Sequence, residues 1–264
     1  MNPAPPAALP SPELPLGGVL GWRVGGLHVR VERGPADWRV WSWSGPAGDG
    51  PPRLRADASD PPPAAARARF AWARSGGQLR VLPCLPDRPL VLLPESPVQV
   101  GPDDALSFTI ALPAWLHVAV DGGPLLCEAP AERPPETWLG TDTRSGELCY
   151  GSRTRWAPGA PLPAPGAWAV LCTVRVANRG AAPLLLQRLR VPAPALPLWW
   201  DAEAAQVWAP PLHIEGDADD RASATVAEGP PPSAPRATPL APARRPADSA
   251  GALLSFHALF RRTP

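Results

Sequence analysis

VLGWRVGGLHVRVE, residues 19–32, is two alternating runs parted by the pair Gly25-Gly26. Leu27, Val29 and Val31 fall on one side of an extended chain, and His28, Arg30 and Glu32 on the other. Period-two alternation marks a half-buried strand, and a glycine pair between two such runs marks a tight hairpin. The same pattern recurs outward from this hairpin. Residues 37–43 continue the meander, and residues 67–72 and 78–82 flank a second pair, Gly76-Gly77. Residues 105–112 and 114–120 are strands parted by Pro113 and followed by the turn Asp121-Gly122-Gly123. Further on, residues 168–177 read as a strongly apolar strand ending at the turn Asn178-Arg179-Gly180. Residues 184–191, 198–200, 206–208 and 212–215 complete the series.

Proline reinforces this reading. The chain has 264 residues and 42 prolines, about three times the usual share of roughly 5%. Each proline fixes its own φ and removes a backbone donor, so helix interiors and central strands must lie between prolines. The stretches that remain are strand-sized. The expected fold is therefore all-β: one or two antiparallel β-sandwiches, immunoglobulin-like or jelly-roll-like, with a flexible proline-rich tail and linker. Residues 1–16 read as the disordered tail, 17–128 as a first β-rich half and 129–228 as a second. Residues 45–66 read as a loop, 229–250 as the proline-rich linker, and 251–264 as a closing strand or short helix.

Composition excludes several functions. All 25 basic residues are arginine, so chemistry that needs a lysine amine has no residue to perform it: a pyridoxal Schiff base, a Walker A loop, a kinase strand lysine. A net charge of +1 argues against a nucleic-acid partner. The N-terminus has neither a basic region nor a continuous apolar one, so no signal peptide is expected. The uncharged run 156–174 carries four prolines and is not a membrane helix, so no membrane insertion is expected either. A cytoplasmic location follows. The four cysteines, Cys84, Cys127, Cys149 and Cys172, are widely spaced with no CxxC, and buried reduced thiols are expected. Two disulfides or a zinc site are the alternatives.

A resemblance enters at WLG (138–140) and GELCYGSRTR (146–155), which lead into VRVANRG (174–180), LLLQRLRVPAP (184–194) and LPLWW (196–200). Together these resemble a family of uncharacterised bacterial and archaeal proteins classed as a domain of unknown function, over residues of about 15 to 260. The resemblance implies no activity, cofactor or catalytic residue.

Two constellations are candidate sites. The segment 138–155 reads as the longest polar, glycine-containing connection, and Trp138, Tyr150, Arg153 and Arg155 are its candidate binding residues, since arginine forks recognise carboxylates and phosphates. His213, Glu215, Asp217 and Asp219 form a dense acidic stretch able to hold Ca²⁺ or Zn²⁺, although no EF-hand spacing is present. Trp199 and Trp200 beside Asp201 and Glu203 lack an identifiable acid/base partner, and tryptophans such as Trp41 and Trp43 either fill core positions or form a sugar platform. His28 and His117 read as ordinary strand residues, because no HExxH or HxH spacing occurs; no GxSxG or GxGxxG is present either. The expected function is a non-enzymatic binding or protein-interaction module with an unknown protein partner, homo-oligomerisation being open. The alternative is a metal-dependent enzyme or carbohydrate-binding module.

Overall fold

A computed structural model of the chain describes residues 12–47, 52–72, 76–140, 144–154, 162, 168–216 and 222–245. The first strands are β1 (Val19–Val24), β2 (Leu27–Arg33), β3 (Asp37–Ser44), β4 (Leu54–Ala56), β5 (Ala66–Ala71), β6 (Leu79–Cys84) and β7 (Leu90–Pro94). Next come β8 (Val98–Val100), β9 (Ala105–Pro113), β10 (Trp115–Val120), β11 (Leu125–Pro130), β12 (Glu136–Gly140), β13 (Gly146–Thr154) and β14 (Ala169–Asn178). The last are β15 (Leu184–Leu186), β16 (Leu189–Val191), β17 (Leu198–Asp201), β18 (Gln206–Trp208), β19 (Leu212–Gly216), β20 (Ala222–Val226) and β21 (Thr238–Ala241). The described residues contain no α-helix, only a 3-10 turn at Ala193–Ala195. None of their helices is long and apolar enough to cross a membrane.

The hairpin that opened the sequence reading forms as expected. β1 and β2 pair with Val24 opposite Leu27, and Gly25 takes a φ of 57° at the turn, a conformation glycine adopts without strain. They belong to an antiparallel sheet in the order β4-β1-β2-β3-β5. A three-stranded sheet runs β11-β10-β6, and a four-stranded one β12-β13-β7-β16. The largest sheet runs β20-β19-β14-β18-β17-β21, with β9 along the other edge of β14. β15 pairs with β8.

Proline positions follow the ladder chemistry. β10, β13 and β14, each flanked on both sides, contain no proline. Pro83 sits in β6 and Pro239 in β21, both outermost in their sheets. Pro94, Pro113 and Pro130 end their strands. A residue without an N–H is tolerated where no neighbour needs that donor.

Several expectations change. The pairings of β7 with β13 and of β14 with β18 and β19 are parallel, so the sheets are not purely antiparallel. Parallel neighbours need long connections, and strand patterning carries no information on them. β7 with β13, and β9 with β14, also pair across the expected boundary at 128/129. Side chains from every sheet, among them Val29, Leu116, Leu92, Val174 and Leu186, join one continuous core. β4 lies inside the expected 45–66 loop, and the expected 138–155 connection is the hairpin β12–β13. The expected linker contributes β21 and buries Ala234, Ala237 and Leu240. At the other end, Leu14 is buried and its N–H bonds Gly77 O at 2.8 Å, so the part of the expected tail from residue 12 is tied to the core. Residues 1–11 and 251–264 lie outside the described residues.

Candidate functional site

The sheet β11-β10-β6 presents one face to the core and one to a groove. Leu79 and Val81, then Leu116, Val118 and Val120, are fully buried on the inner face. Alternation sends Arg80, Leu82 and Cys84 of β6, and Trp115, His117 and Ala119 of β10, to the other side. On β11 a bulge intervenes: Ala119 pairs with Leu125 but Val118 pairs with Cys127, so Leu126 is an extra residue. Past the bulge His117 lies directly opposite Glu128, and Cys84 lies opposite Trp115, one diagonal step away. A groove of about 640 Å³ runs over this face and is closed on its far side by residues 240–244.

Three ligand-type side chains therefore converge from three adjacent strands. The Cys84 thiol donates to Glu128 Oε1 at 3.0 Å, and His117 Nδ1 lies 3.4 Å from the same oxygen. One donor atom from each of the three lies within 4.8 Å of the others. All three residues are half-buried.

A fourth residue arrives from far along the chain. Arg244 follows β21 and lays its guanidinium across Glu128: Nη1 donates to Oε2 at 2.6 Å and Nη2 to Oε1 at 2.6 Å. Nε donates to Leu85 O at 2.7 Å, Nη2 reaches Cys84 Sγ at 3.2 Å, and the guanidinium lies 5.9 Å from the Trp115 ring centroid. Burial alone would raise the Glu128 carboxyl. The hydrogen bonds from His117, Arg244 and Cys84, with the Arg244 charge, outweigh it and hold the carboxyl at about 2. The Cys84 thiol moves the opposite way: burial and the Glu128 charge push it well above the usual thiol range. Arg80, which also lines the groove, has a buried Nε without a hydrogen-bond partner among the described residues.

A second polar pair lies in the β4-β1-β2-β3-β5 sheet. His28 Nδ1 and Asp57 Oδ2 are 2.5 Å apart, Ser59 Oγ donates to Asp57 Oδ1 at 2.6 Å, and the His28 ring stacks on Trp43 at 5.2 Å. The serine and the imidazole bond opposite oxygens of one carboxylate, so the imidazole is not placed as a base on the hydroxyl.

The residues singled out from sequence are distributed differently. Trp138 is 46% exposed and Leu148, its cross-strand partner, 39%. The ring rests on Gly146, where a Cβ would meet Trp138 Nε1 at 2.5 Å. Tyr150 is buried: its hydroxyl donates to Asp87 Oδ1 at 3.1 Å and its ring packs against that of Trp115 at 5.8 Å. Arg153 is exposed, but alternation along β13 puts it on the opposite face from Leu148 and Tyr150. Arg155 lies outside the described residues. His213 and Glu215 share the exposed face of β19, and Glu215 is engaged by Arg179 at 2.9 Å. Asp217 and Asp219 lie outside the described residues. All four cysteines are free thiols; Cys149 and Cys172 are buried, whereas Cys84 and Cys127 are half-buried.

Glu128 and Arg244 carry no signal in sequence, Cys84 reads only as one of four thiols with a zinc site as an alternative, and His117 reads as an ordinary strand residue. The turn Asp121-Gly122-Gly123 announces the hairpin, but counting back from its tip, where Ala119 faces Leu125, sets His117 opposite Cys127, so the bulge hides the pairing with Glu128. Nothing in the sequence announces Arg244.

No match was found among curated proteins or among solved structures. Residues 13–261 match a protein family described as "Protein of unknown function (DUF432)". The match takes in all of the described β-structure and the groove with it, and the chain belongs to that family.

Proposed function

We propose that this protein is a non-enzymatic binding module that takes a divalent ion of the zinc class on Cys84, His117 and Glu128. The observation that carries the reading is the spacing of the three donor atoms. A tetrahedral zinc, with bonds of about 2.3 Å to sulfur and about 2.0 Å to nitrogen or oxygen, sets sulfur and oxygen about 3.5 Å apart and nitrogen and oxygen about 3.3 Å apart. The corresponding separations here are 3.0 and 3.4 Å. A thiolate with an imidazole favours zinc over calcium or magnesium, which prefer all-oxygen shells. Binding would take the proton from Cys84 and leave a fourth position facing the groove. Nothing favours nucleophilic catalysis by Cys84: the base its thiol faces is the Glu128 carboxylate, held at about 2 and too weak to take a proton from a thiol that burial pushes well above its usual range.

Thermal unfolding of the reduced, metal-stripped chain tests the reading. Zinc at 100 times its Kd adds about 2.7 kcal/mol to stability, which for a chain of this size is a rise in Tm of roughly 5–10 °C. Calcium should add nothing, and Cys84→Ser with His117→Ala should abolish the zinc effect. An unchanged Tm across zinc concentrations would sink the metal site.

A second reading has its own observation. On the hairpin β12–β13, with β12 outermost in its sheet, the exposed Trp138 is of a residue type enriched at interface hot spots, and the exposed Leu148 opposite it extends the apolar surface. This supports a protein partner on that hairpin.

A further inference from the structure

We infer that Arg244 is an intramolecular competitor for the metal: guanidinium and ion occupy Glu128 in turn, and ion binding releases residues 242–245 from the groove. The inference rests on the metal-binding reading above. Of the three ligand side chains, Arg244 already touches two. It holds both oxygens of Glu128 and approaches Cys84 Sγ at 3.2 Å, leaving only His117 uncovered. The oxygen that Cys84 and His117 face, Oε1, is the one Nη2 occupies at 2.6 Å. An ion bonded to that oxygen and to Sγ would stand where the guanidinium stands. Two cations at one carboxylate also repel each other, and the repulsion is strong in a half-buried site. A lysine could yield by losing its proton; arginine keeps its charge and must move.

The local chain allows that movement. The ladder between β17 and β21 ends at Leu198 opposite Ala241, so the strand holds while the residues after it swing. Among the described residues, the hydrogen bonds that tie residues 242–245 to the rest of the protein are those of the Arg244 side chain and one from Arg245 N to Pro194 O at 3.0 Å. The guanidinium is thus both the plug in the ligand set and the main fastening of its own segment. Occupancy of the site is thereby converted into the position of a short arm.

Zinc affinity, measured by competition with a chromophoric chelator, should rise about tenfold or more in Arg244→Gln, because the ion no longer has to break a bidentate ion pair. Arg244→Lys keeps a charge but loses the fork, and should fall between wild type and Arg244→Gln. A second measurement needs no variant. Trypsin cuts after arginine, so zinc should speed cleavage of the Arg244–Arg245 bond in the wild-type chain several-fold. Glu128→Ala, which removes the acceptor of both Arg244 terminal nitrogens, should be cut quickly with or without zinc. If wild type binds zinc, Arg244→Gln binds it equally well and cleavage is unchanged, the competition is overturned while the metal site stands. If neither wild type nor Arg244→Gln binds zinc, the metal site falls and the competition with it. Binding by Arg244→Gln alone is the competitor role in its strongest form.

Discussion

Glu128→Gln should change how the stability of this protein depends on pH, and the size of the change can be worked from the site. In the folded chain the Glu128 carboxyl sits at about 2 against an ordinary 4.5, because His117, Arg244 and Cys84 all donate to it and Arg244 is charged. A folded value below the unfolded one means that the ionised form is favoured by folding. The contribution is complete well above pH 4.5 and fades as the pH falls towards 2. At about 1.4 kcal/mol per tenfold change in proton affinity it amounts to about 3 kcal/mol at pH 7, of which about 2 kcal/mol is gone by pH 3. The carboxylate side chain is 17% exposed, so solvent screening takes little from this figure. Glutamine keeps the shape and an acceptor for Arg244 but cannot ionise. Urea unfolding of both chains at pH 7, 5, 4 and 3 reads the difference directly. The wild-type advantage should shrink by about 2 kcal/mol between pH 7 and pH 3. A constant gap across that range would refute the claim that Glu128 is held ionised by this cluster.

Other outcomes follow from single environments. Burial pushes all four thiols up, to about 11 for Cys127 and Cys149 and about 12 for Cys172, with Cys84 well above its usual value. Alkylation by iodoacetamide at pH 8 should therefore run at least about tenfold slower in the folded chain than in urea, since the thiolate is the reacting species; equal rates would contradict this. Asn178 Nδ2 donates to the carbonyls of Val100, Gly101 and Ala182, while its Oδ1 accepts from Gly180 N. Asn178→Asp turns a carboxylate towards those carbonyls and should cost about 3 kcal/mol, seen as a lower urea midpoint. Leu116→Ala, in the fully buried centre of β10, should cost about 2–5 kcal/mol by cavity formation, read by thermal unfolding. Trp138→Ala should change stability by about 0.5 kcal/mol or less; a large loss would make Trp138 a packing residue and remove the interface reading.

The sequence by itself determined that the chain is β throughout, and where most strands run. Alternation and glycine pairs are local, and β1, β2, β3, β9, β10, β14 and β19 fall within a residue or two of where they were expected. The prolines likewise left only strand-sized stretches between them, which ruled out long helices. Residues 229–245 and 138–155 defeated the same reasoning. Pro239 sits in an edge strand that needs no donor on its open side, and Gly140 and Gly146 flank a hairpin instead of marking a long loop. Tyr150 joins the candidate surface by its neighbours in sequence, while the pairing of the second half of β13 with β7 buries it together with Cys149.

Only the tertiary structure decided the site. Without a bulge, the register at the tip of β10–β11, Ala119 opposite Leu125, would carry His117 to Cys127 and turn Glu128 to the core side. One extra residue at Leu126 puts Glu128 beside His117 instead. Cys84 joins them through the pairing of β6 with β10, and Arg244 through the docking of β21 on β17, 116 residues away from Glu128. Hydrophobic periodicity records which face of a strand is buried. It does not record which strands become neighbours, or where a ladder slips by one residue, and both depend on packing energies that no short stretch of sequence contains.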